Sequence, residues 1–392
     1  MMPTEELADH FDVFNPDHAA QMWEVLKYSR QHCPVLRTDA DPGYLIISRY
    51  EDIRYICEHP EIFSNSDPAV RGNPVKTPPL TTDPPDHAEF RRLLNPYLSR
   101  SFLLRHADVM RSAANQLIDR FIDAGECEFM HDFATPFTSS SLARVILDDP
   151  NEIRLSKAID IATRIGDEGT PELFIELAEL ADEYLNERAA SAGSRDDIVN
   201  AILTGHVYQR ALTRNEMVGI VTVLFSGGLD TTKGALGNIV SHLAVDSTIE
   251  ARLRDPAWIR RDMDEFLRYE SPVLFLARTV TIDTELAGRR LRSGDRLVLH
   301  FGSANRDEAK FDRSNELWFD RQRNPHAAFG LGIHRCIGLN FARLQIEIAF
   351  DELLKRITNV RLAAGKKIEP AHGVVLSPQT LPIVFSRRAG DG

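Results

Sequence analysis

A mainly helical protein carrying a few short strands is what this sequence predicts, and three patterns carry the prediction. The first is helical periodicity: residues 102–124, 173–190 and 339–356 each repeat apolar side chains at three- and four-residue spacing. The second is a long apolar run that opens at a capping box, Thr213-Arg214-Asn215-Glu216, and continues through Val223-Leu224-Phe225 to Ile239, Val240 and Leu243. A helix of about 30 residues spans about 45 Å, so this element must cross the core. The third is the sparseness of strand signals, confined to Tyr44-Leu45-Ile46-Ile47 and residues 280–286, 296–301 and 373–385.

Taken in order, residues 49–59 read as a helix that stops before Pro60. Residues 64–82 hold Pro68, Gly72, Pro74, Pro78 and Pro79, which makes them a long irregular loop suited to shaping a ligand pocket. Ala287-Gly288 and Ser293-Gly294-Asp295 are turns between strands.

The chain has 392 residues, 43% of them hydrophobic and 27% charged, ample for a large core. No low-complexity linker or repeat divides it, so residues 1–392 are read as one domain. A net charge of −12 argues against nucleic acid as a general partner. The four cysteines, Cys33, Cys57, Cys127 and Cys336, lack CxxC or zinc-ligand spacing and fit a reducing cytoplasm. Residues 1–30 are rich in Asp and Glu and contain no apolar run long enough for a leader or anchor, so no membrane partner is expected.

The middle of the long helix is weakened by Gly227-Gly228-Leu229-Asp230-Thr231-Thr232. Each glycine costs about 1 kcal/mol relative to alanine. Small residues there let a flat ring and a diatomic gas approach the backbone, and the Asp-Thr pair can carry protons into a dry site.

One cysteine stands apart from the others. In Phe329-Gly330-Leu331-Gly332-Ile333-His334-Arg335-Cys336-Ile337-Gly338 it sits in a glycine-punctuated loop that runs straight into a helical pattern at Leu339. A thiolate on haem iron must be shielded from water while its sulfur accepts backbone N–H bonds. Gly330 and Gly332 permit the turns, Gly338 lets the helix start lie close to a flat ligand, and Phe329 can cover the sulfur side of the ring.

The offsets of Phe329, Gly330, Gly332, His334, Cys336 and Gly338 resemble the signature of the cytochrome P450 family. The likeness runs from Tyr44 to Phe385 with the diagnostic segments in family order. It implies the cytochrome P450 fold, a triangular helical prism that is mainly α with a small β-rich lobe, holding haem b between the long distal helix and the Cys336 loop. Cys336 matches the axial iron ligand, and Asp230 and Thr231 match the acid-alcohol pair that delivers protons to the distal oxygen. His87 and Arg91, on one helix face after Pro85, match propionate contacts, as do Arg278 and His334 by position; Arg92 should point away. Glu265 and Arg268 resemble the structural Glu-x-x-Arg element. Arg321 and Arg323 compete to complete that cluster, with the short stretch 319–330 favouring Arg321.

The implied activity inserts one atom of O2 into a hydrophobic small molecule, such as a terpenoid, steroid or aromatic compound, and reduces the other atom to water. With no flavin or iron-sulfur motif in the chain, electrons would come from a ferredoxin and an NAD(P)H-dependent ferredoxin reductase. Arg91, Arg92, Arg100, Arg335 and Arg343 are candidates for a basic docking face. Expected substrate-pocket residues are Leu224, Gly227, Gly228, Val273, Leu274, Phe275, Val375 and Leu376, with Arg71 as a possible partner for a substrate carboxylate. A cytoplasmic monomer is expected. Alternatives are a haem sensor or carrier without turnover and a peroxide-using haem-thiolate enzyme; the Asp230-Thr231 pair argues against both. A Cys-His hydrolase built on Cys336 lacks the strand-turn-helix nucleophile context.

Overall fold

The capping box at Thr213 starts the element around which the others are arranged. In the computed structural model the Thr213 hydroxyl accepts the Glu216 N–H at 3.3 Å, and the Glu216 carboxylate accepts the Thr213 N–H at 2.8 Å. The distal helix Arg214–Val245 then runs 32 residues without a break. Gly227 and Gly228 do not interrupt it, because the helices Glu152–Glu168 and Pro171–Ala190 and the segment Thr135–Ser141 pack along it and offset the glycine penalty. The structure describes residues 3–40, 43–149, 151–190, 195–370 and 373–388, the side chains of 152, 256–260 and 369–370 apart.

Close approach to this helix is built into its sequence. A Cβ on Gly219 would stand 1.9 Å from the Lys76 carbonyl oxygen, so the irregular loop after Phe63 rests on the helix backbone at a point where no side chain fits.

A five-stranded sheet forms the lobe at the other end, in the order Val35–Thr38, Tyr44–Ile47, Arg296–His300, Phe275–Val280, Phe63–Ser64. All neighbours are antiparallel except Arg296–His300 beside Tyr44–Ile47. Tyr44–Ile47 reads as a continuous apolar run because both faces are buried. Leu45 and Ile47 pack with Ile53 and Phe63 on one side, and Tyr44 and Ile46 with Phe11 and Val25 on the other.

Several expected boundaries move. The 102–124 helix is two helices, Arg100–Leu104 and Ala107–Phe121, since Ser99 caps the first by accepting the Phe102 N–H and His106 leaves the helical conformation. That turn lets both pieces face the helix Leu339–Arg356. The 280–286 strand ends at Val280, its first residue, and belongs to Phe275–Val280; Thr284–Leu286 pairs instead with Arg289–Leu291. The Asp283 carboxylate accepts the Ser293 N–H and turns the chain there. Phe301 begins a short helix, Phe301–Ala304, and residues 373–385 hold two strands, Pro378–Thr380 and Pro382–Arg387. No helix among the described residues is long and apolar enough to cross a membrane.

Candidate haem-thiolate site

Backbone turns and hydrogen bonds shape the cysteine loop. Gly330 and Gly332 take φ of 70° and 67°, and the Cys336 N–H donates to the Phe329 carbonyl at 2.8 Å. The backbone N–H groups of Gly338 and Leu339 face the sulfur at the start of the helix Leu339–Arg356. Burial pushes the Cys336 thiol up, against the pull of the Gly338 N–H and the positive charges of Arg91 and Arg335. Although set deep in the molecule, Cys336 opens onto a cavity. Gly338 has an ordinary φ of −85°, and a Cβ there would lie 3.9 Å from Cys336 Sγ, so its bareness leaves room beside the sulfur. The Phe329 ring lies 5.6 Å from the Arg343 guanidinium.

Beneath the loop lies a buried ionic hub. Arg268, fully buried, binds Glu265 through Nε at 2.9 Å and Nη2 at 2.7 Å, and donates to the carbonyls of Asn305, Ser314 and Glu316, each at 2.7 Å. The Arg321 Nε reaches Glu265 Oε2 at 3.1 Å, whereas Arg323 is exposed. Asn324 and the Trp318 N–H also donate to Glu265. Asn305 ties the hub to the loop: its side-chain oxygen accepts the Ala327 N–H at 2.6 Å. Glu265 and Arg268 each have several partners, as a buried ion pair requires, while Arg321 Nη2 is buried without a partner among the described residues.

The cavity has a volume of about 360 Å³, with Cys336 on one side and Gly227, Gly228 and Thr231 of the distal helix on the other. Four nitrogen-bearing groups, His87, Arg91, Arg278 and His334, converge at its edge. The His87 and His334 rings are 4.4 Å apart, and Nε2 of each is buried with no hydrogen-bond partner among the described residues. Arg278 is buried and, among the described residues, donates only to the neighbouring Ala277 carbonyl at 2.8 Å, while Arg91 donates to the Arg335 carbonyl at 2.9 Å. Burial holds His87 down to about 4 and His334 to about 3, with Arg91 beside the first and Arg278 beside the second adding to the effect. Buried donors left without acceptors are costly. The two propionates of haem, placed among them, fit that need, so the residues present suit the group. Arg92 points away and pairs with Glu89.

On the distal side Thr231 donates to the Gly227 carbonyl at 2.9 Å and lines the cavity. Asp230 is ion-paired with Lys233 and accepts from Thr163 Oγ1 at 3.2 Å, two partners the sequence reading missed. The i,i+3 spacing of Asp230 and Lys233 was the available signal. Leu224, Gly227, Gly228, Val273, Phe275 and Val375 all line the cavity; Leu274 and Leu376 do not. Leu274 fills the space over Gly302, and Leu376 turns its backbone carbonyl to Asn238 Nδ2 at 2.9 Å. Arg71 is also absent from the lining: it donates to the Glu168 carbonyl at 2.7 Å and lies 4.5 Å over the Phe14 ring.

The proposed basic face is largely neutralised. Arg100 binds Glu347 at 2.9 Å, Arg343 pairs with Asp264, and Arg92 is held by Glu89. Arg335 is exposed and makes no ion pair among the described residues.

Comparison with known proteins agrees with this geometry. The sequence model described as Cytochrome P450 matches residues 260–385. A probable cytochrome P450 127A1 from Sinorhizobium fredii is 31% identical over 332 residues, 82% of this chain and 79% of that one. A steroid C26-monooxygenase from Mycolicibacterium smegmatis is 28% identical over 378 residues, 93% of each chain. The crystal structure of CYP108D1 from Novosphingobium aromaticivorans has a TM-score of 0.83 at 26% identity, covering 94% of this chain and 95% of that one. Likeness on this scale extends far beyond one loop, and it makes this chain a member of the cytochrome P450 family, a bacterial monooxygenase whose haem takes a cysteine thiolate as axial ligand.

Proposed function

We propose that Cys336 is that ligand, that His87, Arg91, Arg278 and His334 hold the haem propionates, and that the chain oxidises an uncharged hydrophobic small molecule of terpenoid, steroid or aromatic type. One observation carries this reading: a single sulfur faced by backbone N–H groups and two buried imidazole Nε2 atoms without partners among the described residues, with Arg91 and Arg278 beside them, border the same cavity. Bound haem supplies oxygen binding, reductive O–O cleavage and transfer of one oxygen atom. The protein's own residues do the rest. Gly338 and Leu339 N–H groups moderate the sulfur, and Asp230 and Thr231 hold and pass protons at the distal wall.

The substrate class follows from the walls. Ile146, Ile165, Phe174, Leu224, Val273 and Val375 present apolar surface, and the only Lys or Arg among the described lining residues are Arg91 and Arg278, on the propionate side. With Arg71 engaged elsewhere, no further Lys or Arg among the described lining residues is left to pair with an anionic substrate group. The name of the steroid-oxidising relative points the same way. Electrons come from a ferredoxin and its NAD(P)H-dependent reductase, docking around the exposed Arg335 next to Cys336.

The test is the absorption spectrum of the reduced, carbon monoxide-bound protein. Wild type should show a strongly red-shifted Soret band that is lost in Cys336→Ser. A band typical of histidine-ligated haem in folded wild type would overturn the reading.

A further inference from the structure

Asp230 borders two cavities. Besides the haem-side cavity it lines a larger one of about 1140 Å³, together with Thr163, Asp167 and Lys233. A hydrogen-bonded string runs there: Lys233 Nζ donates to Thr163 Oγ1 at 3.5 Å, Thr163 Oγ1 donates to Asp230 Oδ1 at 3.2 Å, and Lys233 is ion-paired with Asp230. The side chains of Lys233 and Asp230 are only 13% and 8% exposed. Gly166 of the helix Glu152–Glu168 faces this string; a Cβ there would be 3.6 Å from Asp230 Oδ2, an ordinary contact distance. Asp167, one residue on, is exposed and lines the same cavity.

We propose that solvent protons reach Asp230 from this larger cavity, with Asp167 as the carboxyl that takes them up, Thr163 as the hydroxyl that passes them on, and Lys233 as the positioning residue that keeps Asp230 between the two cavities. The inference rests on the proton-delivering role assigned to Asp230 above. The transfer balances simply. The O–H bond of the Asp167 acid breaks and its proton moves through cavity water to the free lone pair of Thr163 Oγ. The Thr163 hydroxyl proton passes to Asp230 Oδ1, forming a new O–H bond. Solvent then reprotonates Asp167, and no electron moves.

Asp167 is chemically suited to the task. Burial followed by the negative charge of Asp230 raises it to about 6, with Lys233 opposing. The groups that face it are Asp230 and Lys233 from the distal helix and Glu168 from its own. Arg164 on that turn is occupied by Asp160 and Glu168, and residues 373–376 over it carry no charge. The cavity's other charged or titratable lining groups are Arg120, Glu128, His131, Arg144, Asp148 and Asp149. A group titrating near the working pH carries protons in both directions.

The test uses the resting holoenzyme and two readouts. Infrared titration should show a carboxyl that titrates near pH 6, disappears in Asp167→Asn and shifts down in Asp230→Asn, where the like charge is gone. Survival of that band in Asp167→Asn, or its absence from wild type, would overturn the assignment of Asp167. Second, the enzyme is driven by NAD(P)H, a bacterial ferredoxin and its reductase without added substrate, and electrons are partitioned between peroxide and water. Asp167→Asn and Lys233→Met should raise the peroxide share several-fold with an unchanged carbon monoxide spectrum, Lys233→Arg should restore it, and Asp167→Asn should add nothing in an Asp230→Asn background. If only Asp230→Asn raises peroxide, the inlet proposed here fails and the role of Asp230 stands; if Asp230→Asn has no effect either, both fail.

Discussion

The carbonyl oxygen of Cys57 lies over the bare Cα of Gly332, so close that a Cβ there would stand 2.1 Å from it. The cysteine loop and the helix Tyr50–Glu58 therefore meet backbone to backbone. Gly332→Ala must push the loop away and also strain a φ of 67°. The expected cost is about 1–3 kcal/mol from overpacking alone. Thermal unfolding and haem content should both fall, and a variant with wild-type melting and full haem loading would contradict this contact.

Truncation around Glu265 separates the two arginines that the sequence could not. Arg321→Ala removes a partner from a buried carboxylate and should cost on the order of 3 kcal/mol. Arg323→Ala, at an exposed position, should stay within about 0.5 kcal/mol. Denaturant unfolding of the two variants measures the difference; equal losses would move the hub's third member.

Thr231→Ala should leave the fold intact, since its hydroxyl donates only to the Gly227 carbonyl of its own helix. Electron use should uncouple from product, seen as more peroxide released per NAD(P)H consumed. Unchanged coupling would remove Thr231 from the proton path.

The cap of the distal helix predicts acid sensitivity. Hydrogen bonding from Arg210 holds the Glu216 carboxyl down to about 2, from an ordinary 4.5. Its stabilisation is complete above pH 4.5 and drains away as the pH falls toward 2, because the unfolded chain takes up the proton first. With the side chain 19% exposed, this amounts to on the order of 1–2 kcal/mol. Glu216→Gln should be less stable at pH 6 and lose less on acidification between pH 4.5 and 3.

Arg335→Glu should slow electron transfer from an acidic ferredoxin and flatten its salt dependence, while Arg92→Glu, whose native charge is already answered by Glu89, should change less. Stopped-flow reduction at several ionic strengths reads both effects. Equal slowing by the two variants would place the docking face elsewhere.

Local chemistry made much of this legible in the sequence. The Thr213 capping box, the Glu265-Arg268 spacing and the glycines around Cys336 each satisfy a rule that operates within a few residues. What stayed hidden depends on distant partners. Residues 273–276 are apolar throughout, so nothing in them reveals that Val273 and Phe275 face the cavity while Leu274 packs over Gly302. The attachment of Asp230 to Thr163 joins helices 67 residues apart. Arg71 looked free because Phe14 and the Glu168 carbonyl, which engage it, lie far away in sequence.

The resting of Lys76 on Gly219 has a mechanical consequence. The loop is also held on both sides of that contact: before it the Pro68 carbonyl accepts the Ala277 N–H at 2.8 Å and the Asp67 carbonyl accepts from Arg296 at 2.9 Å, and after it Thr81 Oγ1 accepts the Thr77 N–H at 2.7 Å. Val70, Asn73 and Leu80 border the cavity from this stretch, so widening the cavity on that side has to break several backbone contacts at once.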